Sequence, residues 1–131
     1  MHRSIFISST FQDMHYERDA IHTRIIPAIN QEAGMWGDSV SACDLRWGIN
    51  TADMEDIDKS KKVLNVCLGE IDRCRPYMIV LLGYRYGWIP DKELVLKTIE
   101  EKDNFSLKEE DISVTALEIE YGALSYISDP Y

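Results

Sequence analysis

The sequence predicts an α/β fold: a small parallel sheet with helices on both faces. Three observations carry this expectation. First, Ile5, Phe6 and Ile7, and later Tyr77 through Leu82, form short unbroken apolar runs, as strands covered on both faces do. Second, the segments between and after them carry apolar residues at helical spacing. Third, strand-type and helix-type segments alternate, and right-handed crossovers turn such an order into parallel neighbours.

At 131 residues the chain, 1–131, reads as a single domain large enough for a real core. A 45% hydrophobic content places it with globular rather than disordered chains. Its formal net charge of −9, from 14 Lys+Arg against 23 Asp+Glu, argues against nucleic acid or an anionic membrane as partner. Phosphate binding needs clustered cations. No stretch approaches the ~20 apolar residues of a membrane span. The first residues hold no long apolar core with a cleavage signal, so a cytoplasmic location is expected. Cys43, Cys67 and Cys74 are odd in number, lie among apolar neighbours and lack close metal-type spacing. They read as reduced core thiols, and no metal site is expected.

The first strand ends in Ser8, Ser9, Thr10 and Phe11 and runs into a helix. Ser9 and Gln12 have capping-box spacing, and acids at 13, 17 and 19 suit the positive end of a helix dipole. Ligands of open parallel sheets sit just outside the carboxyl ends of the strands. Backbone N–H groups at a helix start can face an anion there. Ser8, Ser9, Thr10 and Phe11 are therefore the first wall of any ligand site. The helix runs from about Gln12 to Glu32, with Met14, Ile21, Ile25 and Ile29 on its apolar face. Pro27 predicts a kink near Arg24 to Ile26. His15 and His22 read as solvated helix histidines.

A turn at Gly34 to Asp38 leads to the second strand, Val40 to Leu45. Its end, Asp44-Leu45-Arg46-Trp47-Gly48, supports two readings. In one, Trp47 covers the core edge and Arg46 pairs with Asp44. In the other, Asp44, Arg46 and Trp47 form the second wall of the site. Asn50 to Lys62 is acidic and lacks the glycine-centred spacing of a calcium loop, so a solvated mobile loop is expected.

The second helix, about Ser60 to Cys74, buries Val63, Leu64, Cys67, Leu68, Ile71 and Cys74 and exposes Glu70, Asp72, Arg73 and Arg75. Pro76 stops it. Tyr77 to Leu82 reads as the central strand. It ends in Gly83-Tyr84-Arg85-Tyr86-Gly87-Trp88, the third wall, with Tyr84 and Trp88 able to stack on a ring; an aromatic lid on the core is the other reading of Trp88. A short helix around Leu94 to Ile99 and a flexible acidic loop follow. Ser113 caps a last helix with Leu117, Tyr121 and Leu124 on one face and Glu118 one turn in. Three strands make a small sheet, and Ser125 to Tyr131 resembles the start of a fourth. A fragment of a longer protein is expected.

The motifs Phe6-Ile7-Ser8-Ser9-Thr10-Phe11-x-Asp13 with Glu17-Arg18-Asp19, Asp44-Leu45-Arg46-Trp47-Gly48, Glu70 to Pro76, Leu82-Gly83-x-Arg85-Tyr86-Gly87-Trp88, and Ser113-Val114-Thr115-x-Leu117-Glu118-Ile119 stand in this order. Together they resemble a TIR-like domain of unknown function at the amino terminus of large STAND-type NTPases. That group includes NACHT proteins with WD or tetratricopeptide repeats, telomerase-associated and nephrocystin-type proteins, and bacterial antiviral relatives. The resemblance covers about residues 3 to 124.

It implies a flavodoxin-like sheet of strand order 2-1-3, then 4-5 if complete. It also implies two kinds of job. Some TIR-type domains cleave NAD at the ribose–nicotinamide bond with a Glu on this last helix, and Glu118-Ile119 is similar to that segment. Val114 stands where the enzymes often carry Trp. Other members are non-catalytic modules that self-associate or recruit partners. The implied partners are like domains and the attached NACHT or STAND NTPase. NAD enters as a substrate, with no permanently bound cofactor. In the enzyme reading Glu118 is catalytic, and Ser8, Ser9, Thr10, Phe11, Asp44, Arg46, Trp47, Tyr84 and Trp88 bind the ligand.

Overall fold

The structure, a computed structural model, describes residues 1–10, 13–45, 56–102, 105, 107 and 111–125, with the backbone alone at 56–60. Three parallel strands form one open sheet in the order β2-β1-β3: β1 is His2–Ser8, β2 Ser39–Cys43 and β3 Met78–Val80. This is the 2-1-3 order implied above. Phe6 sits at the centre of the ladder, opposite Cys43 on one side and Met78 on the other.

One expectation is corrected: β3 is an outer strand of the described sheet, and β1 is the middle one. The apolar run at 77–82 also exceeds the strand it forms. Leu81 N still donates to Ser8 O at 2.9 Å, but β1 ends there, and the chain leaves the ladder when its partner runs out.

Side chains alternate across β1, and each face has its own cover. Phe6 packs into the larger layer with Leu64, Leu68 and Ile71 of α3 (Asp56–Cys74), Val95 and Ile99 of α4 (Lys92–Glu100), and Leu117 of α5 (Val114–Ile119). Ile7 packs into the smaller layer with Ile21 and with Ile26 of α2 (Ile26–Ala33), which follows α1 (His15–Ala20). Each such side chain contributes about 1.5–3 kcal/mol when fully buried, so the α3–α5 layer supplies most of the apolar stabilisation.

The first helix is continuous but not uniform. A π turn, Ile21–Ile25, joins α1 to α2, and Ile26 N bonds back five residues to Ile21 O. It ends just before Pro27, whose missing N–H and ring an ordinary α turn would not accept. The extra residue moves the buried face from Ile21 to Ile26, leaving the expected Ile25 and Ile29 exposed. A second π turn, Glu120–Leu124, follows α5 and likewise leaves Leu124 exposed while Leu117 and Tyr121 stay buried.

Two starts also differ. Met14, in a left-handed conformation at φ 60, precedes α1 without a side-chain cap, so the helix starts at His15; the expected Ser9–Gln12 box involves Gln12, which lies outside the described residues. The stretch expected as a loop is helical from Asp56, and α3 is correspondingly longer. Asp91 and Ser113 do cap α4 and α5, accepting from Glu93 N at 2.9 Å and Ala116 N at 3.1 Å. Among the described residues no helix is long and apolar enough to cross a membrane.

Candidate functional site

Ser8 and Ser9 are consecutive, so the pleat turns their side chains toward opposite layers. Each meets a different buried ionisable side chain. On the α1 side, Arg18 is 1% exposed, and each of its three guanidinium nitrogens donates a hydrogen bond. Nε donates to Ser9 Oγ, Nη2 to Ser9 O at 2.8 Å, and Nη1 to Asp44 Oδ1 at 2.7 Å. The Asp44 side chain, just past β2, is also 1% exposed, and its second oxygen meets His22 Nε2 at 3.1 Å. Arg18 and His22 lie one helical turn apart and so reach the same carboxylate. Asp44 thus pairs with Arg18, and His22 is a partner of a buried acid rather than a solvated side chain.

On the α5 side, Glu118 is 4% exposed. Ser8 Oγ donates to its Oε1 at 2.8 Å. Burial pushes the Glu118 carboxyl up to about 7, against the pull of the Ser8 bond, the Cys67 thiol and the more distant Arg18 charge. Burial, with Glu118 beside it, pushes the Cys67 thiol up in turn. Glu118 is thus a buried acid and not an exposed one on the helix surface. A buried carboxyl that exchanges its proton near neutrality is a recognised mark of functional sites. Its neighbour Glu120 is exposed.

A crevice of about 320 Å³ opens where β1 and β3 end. Thr10, Leu81 to Tyr86, Thr115, Ala116 and Ile119 line it. Two glycines shape this end. Gly87 has φ +100, and a side chain there would press on Thr10 and Thr115. Gly83 lies against the Asp13 carboxylate, leaving no room for a Cβ. Asp13 Oδ1 accepts from Met14 N at 2.8 Å, while its buried Oδ2 has no hydrogen-bond partner among the described residues.

The expected site residues fall into four groups. Thr10 and Tyr84 line the crevice. Ser8, Ser9, Asp44 and Glu118 lie buried around the end of β1, divided between two layers. Trp88 stands exposed farther along the segment after β3, its carbonyl accepting from Val114 N at 2.9 Å. Phe11, Arg46 and Trp47 lie outside the described residues. The sequence reading gave no site role to Arg18, His22, Asp13 or Cys67. Arg18 had left a signal: it shares a helical face with Ile21, so a cation sits on the buried stripe.

Residues 4–125 match the family model described as "Domain of unknown function (DUF4062)". Telomerase protein component 1 of Mus musculus is 42% identical over 86 residues, 66% of this chain and 3% of that protein. A TPR repeat-containing protein of Dictyostelium discoideum is 39% identical over 84 residues, 64% of this chain and 5% of that protein. Tetratricopeptide repeat protein 41 of Rattus norvegicus is 30% identical over 121 residues, 85% of this chain and 9% of that protein. This chain thus spans a small fraction of those relatives' length. No solved structure gives a significant match.

Proposed function

The chain belongs to the DUF4062 family, and we propose that it is a TIR-like signalling module of a longer protein that acts by associating with another copy of itself. The observation that carries this is the segment after β3. Leu82, Tyr84, Tyr86, Trp88 and Ile89 are all exposed within eight positions, Tyr84 completely. Aromatic side chains are the usual anchors of protein interfaces, and an exposed apolar cluster marks a contact surface. Arg85 stands among them on a chain of net charge −9, so the acidic remainder of a second copy complements this segment. The long relatives with repeat-protein names fit a module that works inside larger assemblies, and an attached NACHT or STAND NTPase would gather the copies.

Sedimentation equilibrium over a range of protein and salt concentrations tests this. The expected result is a reversible dimer that weakens with salt and is lost in the Tyr84→Ala/Trp88→Ala variant. A monomer throughout, or association unchanged in the variant, overturns it.

A second reading, NAD cleavage, rests on two other observations: the Glu118 carboxyl, pushed up to about 7, on the helix that lines the crevice, and the Asp13 Oδ2 against Gly83, which has no hydrogen-bond partner among the described residues. An ionised Glu118 holding the ribose would stabilise the oxocarbenium-like charge that forms as nicotinamide leaves. Because Glu118 is covered in this state, activity would require assembly to open the crevice, and a dilute monomer would be a poor enzyme. Nicotinamide release by the assembled protein is the assay. Glu118→Gln should cost on the order of 100-fold or more, by comparison with losing one preorganised electrostatic group. Glu120→Ala should retain activity. Equal activity in both variants removes Glu118 from the chemistry and leaves the interaction module.

A further inference from the structure

Cys43, Glu70 and Cys74 lie far apart in sequence, yet the fold brings them together. Cys43 is the last residue of β2, and Glu70 and Cys74 are one turn apart on the face of α3 that packs on the sheet. Their two sulfurs and a carboxylate oxygen all lie within 4.8 Å of one another, and Cys43 Sγ is 3.4 Å from Glu70 Oε2. It is the one such cluster of His, Cys and acidic side chains among the described residues.

We infer that Cys43, Glu70 and Cys74 form a binding site for a thiophilic divalent cation of the zinc class. Two sulfurs and one carboxylate oxygen are a donor set that zinc accepts. Bond lengths of about 2.3 Å to sulfur and 2.0–2.2 Å to oxygen put tetrahedral donors roughly 3.3–3.8 Å apart. The observed cluster needs only a small contraction to reach that. Cys74 closes the inner side, being 2% exposed, while the partly exposed Glu70 leaves room for water as the fourth ligand.

Arg73 completes the arrangement. Its guanidinium donates to Glu70 Oε2 at 2.7 Å through Nε and to Ser4 Oγ at 3.1 Å through Nη1. Glu70 Oε2 faces both Cys43 and the guanidinium, so a bound cation takes one Glu70 oxygen and Arg73 pairs with the other after a small rotation of the carboxylate. Two thiolates, one carboxylate, a divalent ion and the guanidinium then sum to zero charge. Hydrogen-bonded partners of this kind orient metal ligands. Binding expels one proton from each thiol to solvent, so affinity rises with pH.

The test is titration of the reduced protein with Co²⁺ alone, followed by displacement with Zn²⁺. The expected result is one equivalent bound, with thiolate-to-cobalt charge-transfer absorption and the visible bands of a tetrahedral site. Cys43→Ser and Cys74→Ser should each abolish the charge-transfer pattern, and Cys67→Ala should keep it. Glu70→Ala at the exposed rim, which keeps the core intact, should weaken binding. Arg73→Ala should cost on the order of 10–100-fold in affinity, as loss of a supporting partner does. No cobalt band in the reduced, folded protein overturns the assignment, whether or not Cys43 and Cys74 form a disulfide on oxidation. So does a band that survives in a folded Cys43→Ser/Cys74→Ser protein.

Discussion

The side chains of Asp44 and Glu118 are both buried, one on each side of β1, and the two layers treat them differently. Asp44 lies in the thin layer under α1 and α2, where Arg18 supplies a cation at 2.7 Å and His22 a second partner. Glu118 lies in the thick layer under α3 and α5, where a serine hydroxyl and a thiol are its nearest help. A buried carboxylate with a cation in contact is an ion pair. A buried carboxyl without one holds its proton to higher pH. Ser8 and Ser9 make the division possible, because neighbouring positions at a strand end serve opposite faces.

The comparison can be broken most forcefully at Arg18. Arg18→Met removes the cation in contact with Asp44, and breaking one partner of a buried pair costs about 3–5 kcal/mol. Chemical denaturation should show that loss, and a change below about 1 kcal/mol would mean that the pair is solvated. Ser8→Ala should cost less, about 1–2 kcal/mol for an unmet buried acceptor, and should move the Glu118 carboxyl still higher. Carboxyl NMR of the variant checks the direction.

Tyr121→Phe sharpens the picture within the thick layer. Tyr121 OH donates to Asp72 at 2.6 Å, and Lys102 and Arg75 reach the same acid. Partial burial pushes Asp72 up, but those three hydrogen bonds outweigh it and hold the carboxyl below its usual range. That stabilisation is present above the ordinary carboxylate range and lost as pH falls through the lowered value. Tyr121→Phe should cost about 1 kcal/mol at neutral pH and show a shallower acid-side loss. The smallest effect is expected at Tyr84. It is fully exposed, so Tyr84→Ala should change stability by no more than ~0.5 kcal/mol while weakening self-association.

Much of the fold was legible in the sequence, because strands and stripes are local patterns. The apolar runs at Ile5 to Ile7 and Tyr77 to Leu82, the α3 stripe and the Ser113 cap all needed only neighbours in the chain. The π turns did not show. Ile25 and Leu124 fit a 3.6 period as well as buried residues do, and only packing around Pro27 and Tyr121 reveals the inserted residue. The site was half legible for a similar reason. Polar residues at strand ends marked Ser8, Ser9 and Asp44, and the family resemblance marked Glu118, but sequence spacing does not say which face of the sheet each one serves. The thiol cluster was invisible, since Cys43 meets Cys74 only through the β2–α3 packing.

The asymmetry between the layers is tested most directly by folding stability against pH for the native chain and Glu118→Gln. Glu118 has a carboxyl pushed up to about 7 from an ordinary value of 4.5. The folded state therefore binds more protons than the unfolded state between those values, and stability from this group falls as pH rises through that window. The shift corresponds to about 3 kcal/mol. Denaturant titrations from the ordinary carboxyl range to just above neutrality should show the native chain losing roughly that much relative to Glu118→Gln, whose amide cannot ionise. Parallel curves for the two proteins, or a native chain that gains stability relative to the variant as pH rises, would contradict the account.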